Sequence, residues 1–586
     1  MHQHLQTQFN EGGFIMKMKV FRLTAVFLSV FLLCGSLALA APGDLDRIKA
    51  KEKNQVSQSS ELVIKKVPNS KLFNNLQERL KSAKAEEKMP VIITFSEKNQ
   101  TKNKQVLQNR VASFSADMVY KNIPAIATKL TKKQIEAVAS LPEVKQIEYD
   151  EPVHATMQTA NHWSGTEKAR ADFGITGDRD GNQNSYSKDD VVIAVIDTGI
   201  DANHVDLSGG KVIGWRDFVN NRTSPYDDQG HGTHVAGIAA GSGAGNAAYK
   251  GVAPGAALVG IKVLDRNGSG TMSNVSAGID WAISNKDTYG IDIINMSLGT
   301  TGSSDGRDAT SQAANRAADA GIVVAVAAGN SGPAKQTIGS PGAAEKALTV
   351  GAMADPGKGG FNLANFSSRG PTADGRNKPD IAAPGYQINA ARANSGNGYV
   401  AYSGTSMATP FAAGTVALML AANPSLSPNQ VKSMLASTSQ DWGPAGNDVD
   451  YGAGKLDGYE AVKAAGGFSG TGPSLPNHLH QAGNLSGTGA AHEWKFDVTN
   501  TSEPISITMI IPNWRSYFFF WGRPDFDIYL YDPSGRQVAS STSSSRQETI
   551  TFNPKQTGTY TLRVYSYAEG GDYFFDISAH ASNLRQ

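Results

Sequence analysis

Four residues have the types and positions that acyl transfer to a serine requires. Asp197 closes the apolar run VVIAVIDTG. His231 opens HGTHVAGIAAG behind a glycine-containing turn. Asn330 closes VAVAAGN, and Ser406, in GTSMATP, opens a long apolar stretch. Each stands at the end of an element rather than within a face. A serine hydroxyl is a poor nucleophile near neutral pH; it needs a base within hydrogen-bond reach, and the base needs an orienting carboxylate. The tetrahedral oxyanion needs donors already in place, which the Asn330 amide and the Ser406 backbone N–H can supply. A helix mouth also favours developing negative charge. Each residue has an ordinary alternative. Ser406 can be a helix cap, Asp197 a turn residue and Asn330 a loop residue. His231 and His234 can be a metal pair, but no third ligand accompanies them as in H-E-x-x-H.

The elements that must carry these residues read as α/β. The runs VVIAVIDTG, ALVGIKVLD, IDIINMSLG, GIVVAVAAGN and KALTVGAM are short, continuously apolar strands. They alternate with helical patterns in HGTHVAGIAAG, MSNVSAGIDWAISNK, SQAANRAADA and SMATPFAAGTVALMLAAN. Continuous apolar strands separated by helices predict a mostly parallel sheet flanked by helices on both faces. In such a sheet functional groups gather at the carboxyl ends of the strands. We expect this domain over 156–465. Ahead of it, within 41–155, a small α+β unit is expected at about 89–153, with a helix from Lys132 to Ser140 and a strand from Val144 to Tyr149. After a Gly/Pro/Ser-rich linker at 466–484, the segment 485–586 alternates in short strands with turn signals and no helical pattern. That predicts an antiparallel β-sandwich.

Composition narrows the function classes. A formal net charge of +1 over 586 residues argues against a nucleic-acid partner. The total hides a split: residues 41–150 carry 20 Lys+Arg against 13 Asp+Glu, and 151–586 carry 31 against 39. A basic segment thus precedes an acidic body, and the two attract. The single cysteine, Cys34, lies in KMKVFRLTAVFLSVFLLCGSLALAA, Lys17–Ala41. Its basic start, short apolar run and small-residue end fit a secretory signal peptide, so a leader is expected over 1–40 and the product should be secreted and extracellular. The apolar run is short for a membrane anchor, so no membrane association is expected after cleavage.

VIDTGID, GHGTHVAGIAAG and GTSMATP resemble the three active-site signatures of the subtilisin-like serine proteases, and the order Asp, His, Ser is that of the subtilisin triad. The resemblance covers about 165–465. Carried over by motif, it implies Asp197 as orienting carboxylate, His231 as general base and acid, Ser406 as nucleophile and Asn330 as oxyanion donor. GTSMA departs from G-x-S-x-G, because Ala408 replaces the last glycine, which argues against an α/β-hydrolase. The resemblance further implies two peptide-pairing edges, Gly268–Ser269–Gly270 and Ser297–Leu298–Gly299. It also implies a roomy primary pocket, because Gly339 falls where a larger side chain would shorten it. No catalytic cofactor is implied, but structural Ca²⁺ is, with Asp206 matching one frequent ligand position. DRDGN, Asp178–Asn182, also offers oxygen ligands at alternate positions.

The α+β unit resembles the subtilase prosegment, an intramolecular chaperone and inhibitor. The sandwich resembles the pre-peptidase C-terminal domain of secreted bacterial proteases, on DFDIYLYDPSG and GTYTLRVYS. The expectation is a monomeric secreted endopeptidase made as a self-inhibited zymogen. It should act on protein and peptide substrates with broad specificity and prefer large apolar residues before the cleaved bond. The alternatives are a catalytically dead secreted binding protein on the same scaffold, and an esterase or peptide ligase using the same residues.

Overall fold

The structure, a computed structural model, describes residues 71–586 except 73–75, 77–78, 81–82, 85, 98, 112–113, 120–123, 150–155, 183–184 and 515–522. The expected signal peptide lies outside the described residues. The chain divides into two units, Met1–Pro152 and Val153–Gln586.

In the first unit the strands are β1 (Lys88–Phe95), β2 (Ala116–Val119), β3 (Ala125–Thr131) and β4 (Val144–Tyr149), with helices α1 (Gln100–Arg110) and α2 (Lys132–Ala139). The sheet order is β2-β3-β1-β4. Thr131 and Gln134 form a reciprocal capping box that starts α2 one residue after β3 ends, and Ile135 and Val138 are its buried stripe.

The second unit opens with helices α3 (Thr156–Trp163) and α4 (Thr166–Phe173). The strands that follow are β5 (Val192–Asp197), β6 (Val212–Asp217), β7 (Ala257–Lys262), β8 (Ile291–Met296), β9 (Val323–Ala327), β10 (Leu348–Met353) and β11 (Ile381–Pro384). They form one parallel seven-stranded sheet in the order β11-β10-β9-β8-β5-β7-β6. Helices α5 (His231–Ala240), α6 (Met272–Ser284), α7 (Lys286–Tyr289) and α8 (Ala309–Asp319) lie between strands in the chain. A hairpin, β12 (Ile388–Ala391) and β13 (Tyr399–Tyr402), precedes α9 (Thr405–Ala422), α10 (Pro428–Thr438) and α11 (Gly458–Gly466).

The apolar strands are continuous because both faces are covered. Val192, Ala194 and Ile196 of β5 enter one core with Val259, Ile261 and Ala317, whereas Ile193 and Val195 enter the other with Val235, Ile238 and Phe411. Helix α9 is long and apolar enough to cross a membrane, but it is 83% buried inside the protein and is the central core helix of this second layer.

The C-terminal sandwich packs an antiparallel four-stranded sheet, β14-β21-β16-β19, on an antiparallel five-stranded one, β18-β17-β20-β15-β22. The strands are β14 (Asn477–Leu485), β15 (Ala491–Val498), β16 (Ile505–Ile510), β17 (Asp525–Tyr531), β18 (Gln537–Ser541), β19 (Gln547–Phe552), β20 (Gly558–Ala568), β21 (Gly571–Ala579) and β22 (Ala581–Arg585). The sandwich therefore begins inside the segment expected to be a linker. Strand β14 escapes sequence reading because NHLHQAGNL has no apolar alternation and all but its last residue are exposed or half-buried. The two parts share a core: Met353, Phe361, Leu363, Ala382, Trp442 and Tyr451 of the α/β part pack with Ile510 and Phe574 of the sandwich. Of the aromatic-rich stretch WRSYFFFW, 514–521, only Trp514 is among the described residues; it packs on the sandwich core under the Arg523 guanidinium.

Candidate active site

Parallel strands bring all their carboxyl ends to one edge of the sheet. There β5 ends at Asp197, β8 leads into Ser297 and β9 leads through a short loop to Asn330. Asp197 is fully buried, and its Oδ1 accepts from the Thr198 N–H and lies 2.7 Å from His231 Nδ1. Its Oδ2 is buried with no protein partner. His231 is the first residue of α5, and its side chain is 23% exposed, so the ring has one edge on the carboxylate and remains open to the cleft. Burial pulls the His231 pKa down, but the charge and hydrogen bond of Asp197, with Asp227 behind it, outweigh burial and raise it above 6.5.

Helix α5 must approach β5 closely to make this contact. A Cβ on Gly232 would lie 2.2 Å from the Gly199 carbonyl oxygen, so only glycine fits. Asp227 anchors the same turn, accepting from the backbone N–H groups of Gln229, Gly230 and Thr233 and from the hydroxyls of Thr198 and Thr233. Sequence reasoning missed Asp227; an aspartate four residues before a helix start is the signal that could have found it. His234, three residues on, is buried against the carbonyls of Ile388 and Val400, and burial lowers its pKa to about 3.

Ser406 is the second residue of α9 and does not cap it. Gly404 occupies the cap position, and Ser406 Oγ donates to the Ser297 carbonyl at 3.1 Å. Pro410, inside α9, lacks the N–H that would bond the Ser406 carbonyl. Ser297 Oγ donates to that carbonyl instead, at 2.8 Å, and locks the helix mouth to the end of β8. Asn330 is exposed, with Oδ1 held by the Thr405 N–H at 2.9 Å and by the Thr405 hydroxyl at 3.1 Å. That fixes the amide so that Nδ2 keeps its protons for another acceptor. A Cβ built on Gly404 would lie 3.5 Å from both Asn330 Nδ2 and the Ser406 backbone N, so both donors border one small space. Thr405 is a second positioning residue that sequence reasoning missed; its place beside Ser406 is the only signal.

A cleft of about 460 Å³ is lined by His231 together with Gly268–Gly270 and Ser297–Gly299. Both expected edges therefore border the same groove as the histidine. Asp265 shapes the first edge by accepting the N–H groups of Asn267 and Ser269. A Cβ on Gly339 would meet the Thr300 carbonyl oxygen at 2.0 Å, so a larger residue fits there only if that backbone moves. Asp206 is buried; its Oδ1 accepts from the Gly245 N–H and its Oδ2 from the Tyr399 hydroxyl.

Residues 188–454 match the subtilase family, 68–134 the Tk-SP N-propeptide domain and 492–566 the bacterial pre-peptidase C-terminal domain. Serine protease AprX of Bacillus subtilis (strain 168) is 39% identical over 402 residues, 64% of this chain and 88% of that protein. The chain belongs to the subtilase family. It is a subtilisin-like serine protease with an N-propeptide domain and a pre-peptidase C-terminal domain. Subtilisin E of the same strain is 35% identical over 391 residues, 66% of this subtilase and 93% of its own length. Among solved structures, Sphericase is 35% identical with a TM-score of 0.41, covering 49% of this chain and 96% of its own.

Proposed function

We propose that this subtilase is an exported serine endopeptidase in which Ser406 is the nucleophile, His231 the general base and acid, Asp197 the orienting carboxylate and Asn330 an oxyanion donor. The observation that carries the reading is the 2.7 Å contact between His231 Nδ1 and buried Asp197 Oδ1, with His231 and Ser297, the residue bonded to Ser406, lining one cleft. Asp197 holds the proton on Nδ1 and leaves the Nε2 lone pair free. Turning Ser406 Oγ from the Ser297 carbonyl to Nε2 lets the ring take the hydroxyl proton as Oγ attacks the peptide carbonyl. The resulting oxyanion meets Asn330 Nδ2–H and the Ser406 N–H. The imidazolium then protonates the leaving amine, and water repeats the sequence to release the acyl group.

The substrate lies extended between Gly268–Gly270 and Ser297–Gly299. Leu264, Met272, Val275 and Leu298 line the cleft with no Asp, Glu, Lys or Arg among its lining residues, which supports a preference for large apolar side chains over charged ones. The propeptide domain acts as inhibitor and folding helper, and maturation cuts before Thr156. Met157 and Ala160 of α3 are buried in the main core, so a later cut would break a packed helix.

Structural Ca²⁺ belongs to the same reading. Asp178, Asp180 and Asp190 bring carboxylate oxygens together, the donor type that suits a hard cation. Burial and the neighbouring Asp180 and Asp178 raise the Asp190 pKa, a penalty that a bound cation offsets.

The test is expression of Ser406→Ala beside the unaltered chain, with peptide-library profiling of the latter. Loss of turnover and of self-processing in Ser406→Ala, and a profile led by Phe, Leu, Tyr or Met, support the reading. Normal turnover by the variant, or a profile led by Lys, Arg, Asp or Glu, contradicts it.

A further inference from the structure

The protease chemistry leaves unused a cluster where the sandwich meets the α/β part. His478 and His480 are two apart on β14 and share one of its faces, and Asp576 stands directly opposite His480 on β21. His478 Nε2 lies 2.8 Å and His480 Nδ1 2.9 Å from the same oxygen, Asp576 Oδ1. The Gly443 backbone N–H also points at that oxygen, at 3.1 Å. Three groups therefore crowd one oxygen, while the other, Oδ2, is buried and has no partner. Asp576 itself is fully buried.

The α/β side of the seam is unsatisfied in the same way. Asp448 Oδ2 and the Tyr451 hydroxyl are buried with no partner. Both border Gly443: a Cβ there would lie 2.6 Å from Asp448 Oδ2 and 2.7 Å from the Tyr451 ring. The Trp442 ring stacks on His478 at 4.2 Å and 15°, which fixes the imidazole. Buried polar atoms left unpaired are costly, so several in one place point to a missing partner.

We propose that His478 Nε2, His480 Nδ1 and the Asp576 carboxylate hold a divalent transition cation, Zn²⁺ by donor type, which clasps the sandwich to the protease domain. Two imidazole nitrogens select Zn²⁺ and its neighbours over Ca²⁺ or Mg²⁺, which take oxygen ligands. The ligand atoms all lie within 4.8 Å of one another. Bonds of about 2.0–2.1 Å in a tetrahedron set ligands about 3.3 Å apart, so each histidine nitrogen retreats from Oδ1 by roughly 0.5 Å. Asp576 with Asp448 nearby balances the charge of the ion, and Asp448 or a water takes the fourth position.

The test uses the full chain carrying Ser406→Ala, which prevents self-digestion, stripped with a chelator and returned to Ca²⁺-containing buffer. Co²⁺ titration should develop the intense visible bands of a four-coordinate ion. Zn²⁺ should bind and raise the melting temperature, and His478→Gln and His480→Gln should each weaken that binding at least about tenfold. X-ray absorption of the Zn²⁺-loaded chain keeps the test independent of whether the variants fold, and two imidazoles in the first shell support the site. An all-oxygen shell, absence of saturable Zn²⁺ binding, or unchanged affinity in both folded variants overturns it. The three groups are then a hydrogen-bonded cluster only.

Discussion

Arg546 gives the sharpest test of how the sandwich is held. It is 1% exposed and makes a two-pronged contact with Asp450, Nη1 to Oδ1 at 2.5 Å and Nη2 to Oδ2 at 2.9 Å. Nη1 also donates to the Pro333 carbonyl and Nε to the Ile511 carbonyl. Asp450 is 3% exposed and has a second cation, Arg369 Nε at 3.7 Å. Burial raises the Asp450 pKa, but Arg546 first and Arg369 after it outweigh burial and bring it below the ordinary value.

One carboxylate thus serves two guanidinium groups, which makes the two truncations unequal. Arg546→Met leaves Asp450 with Arg369 and should cost about 2–3 kcal/mol, mainly from hydrogen-bond acceptors left unpaired. Asp450→Asn leaves two buried cations without a counter-charge and should cost about 3–5 kcal/mol or more. The assay is calorimetric melting of both variants in the Ser406→Ala chain. If the second unit of roughly 430 residues melts as one, an entropy of about 2.1 cal/mol/K per residue converts 4 kcal/mol into a drop of roughly 4 °C. If the sandwich of roughly 110 residues melts alone, the same loss moves its own transition by roughly 15–20 °C. Unchanged melting in both variants, or a larger loss for Arg546→Met than for Asp450→Asn, would refute the reasoning.

Asn330→Leu should lower kcat by about 10²–10³ with KM little changed, a magnitude taken from the subtilisin oxyanion-hole example itself; steady-state kinetics on a short peptide check it. On the proposed roles, in which neutral His231 takes the Ser406 proton, kcat/KM should rise with pH through a midpoint above 6.5, and Asp197→Asn should move that midpoint down in a pH–rate profile. Burial raises the Asp355 pKa to about 7, so the folded state keeps a proton that the unfolded chain releases near pH 4. Stability should therefore fall as pH rises from about 4 to about 7, and Asp355→Asn should remove that slope in denaturant titrations. The segment 41–150, added in trans, should inhibit the mature enzyme less as salt rises, because its net charge is +7 and that of 151–586 is −8; inhibition constants independent of ionic strength would discard the electrostatic part.

Much of this subtilase is legible in one dimension. The apolar runs of β5, β7, β8 and β9 are readable because burial on both sheet faces removes alternation from a strand. Asp197, His231, Asn330 and Ser406 are readable because a parallel sheet brings its carboxyl ends together, and those residues stand at the ends of strands or the starts of helices. Their types and neighbours also match a family signature, so the family follows from the sequence.

Other features depend on partners distant in the chain. Whether Ser406 caps its helix or bonds the Ser297 carbonyl depends on a segment 109 residues earlier, and which way the Asn330 amide faces depends on Thr405, 75 residues later. That Gly339 lies against the Thr300 backbone, and that Asp206 accepts from Gly245 and Tyr399, are likewise set by distant segments. The segment 477–484 looks like part of a linker until β21 pairs with it. Periodicity and end position are local properties that a sequence carries openly. Hydrogen-bond partners, close backbone approaches and shared buried charges are set by which distant segments meet and in what register, and only the folded chain decides that.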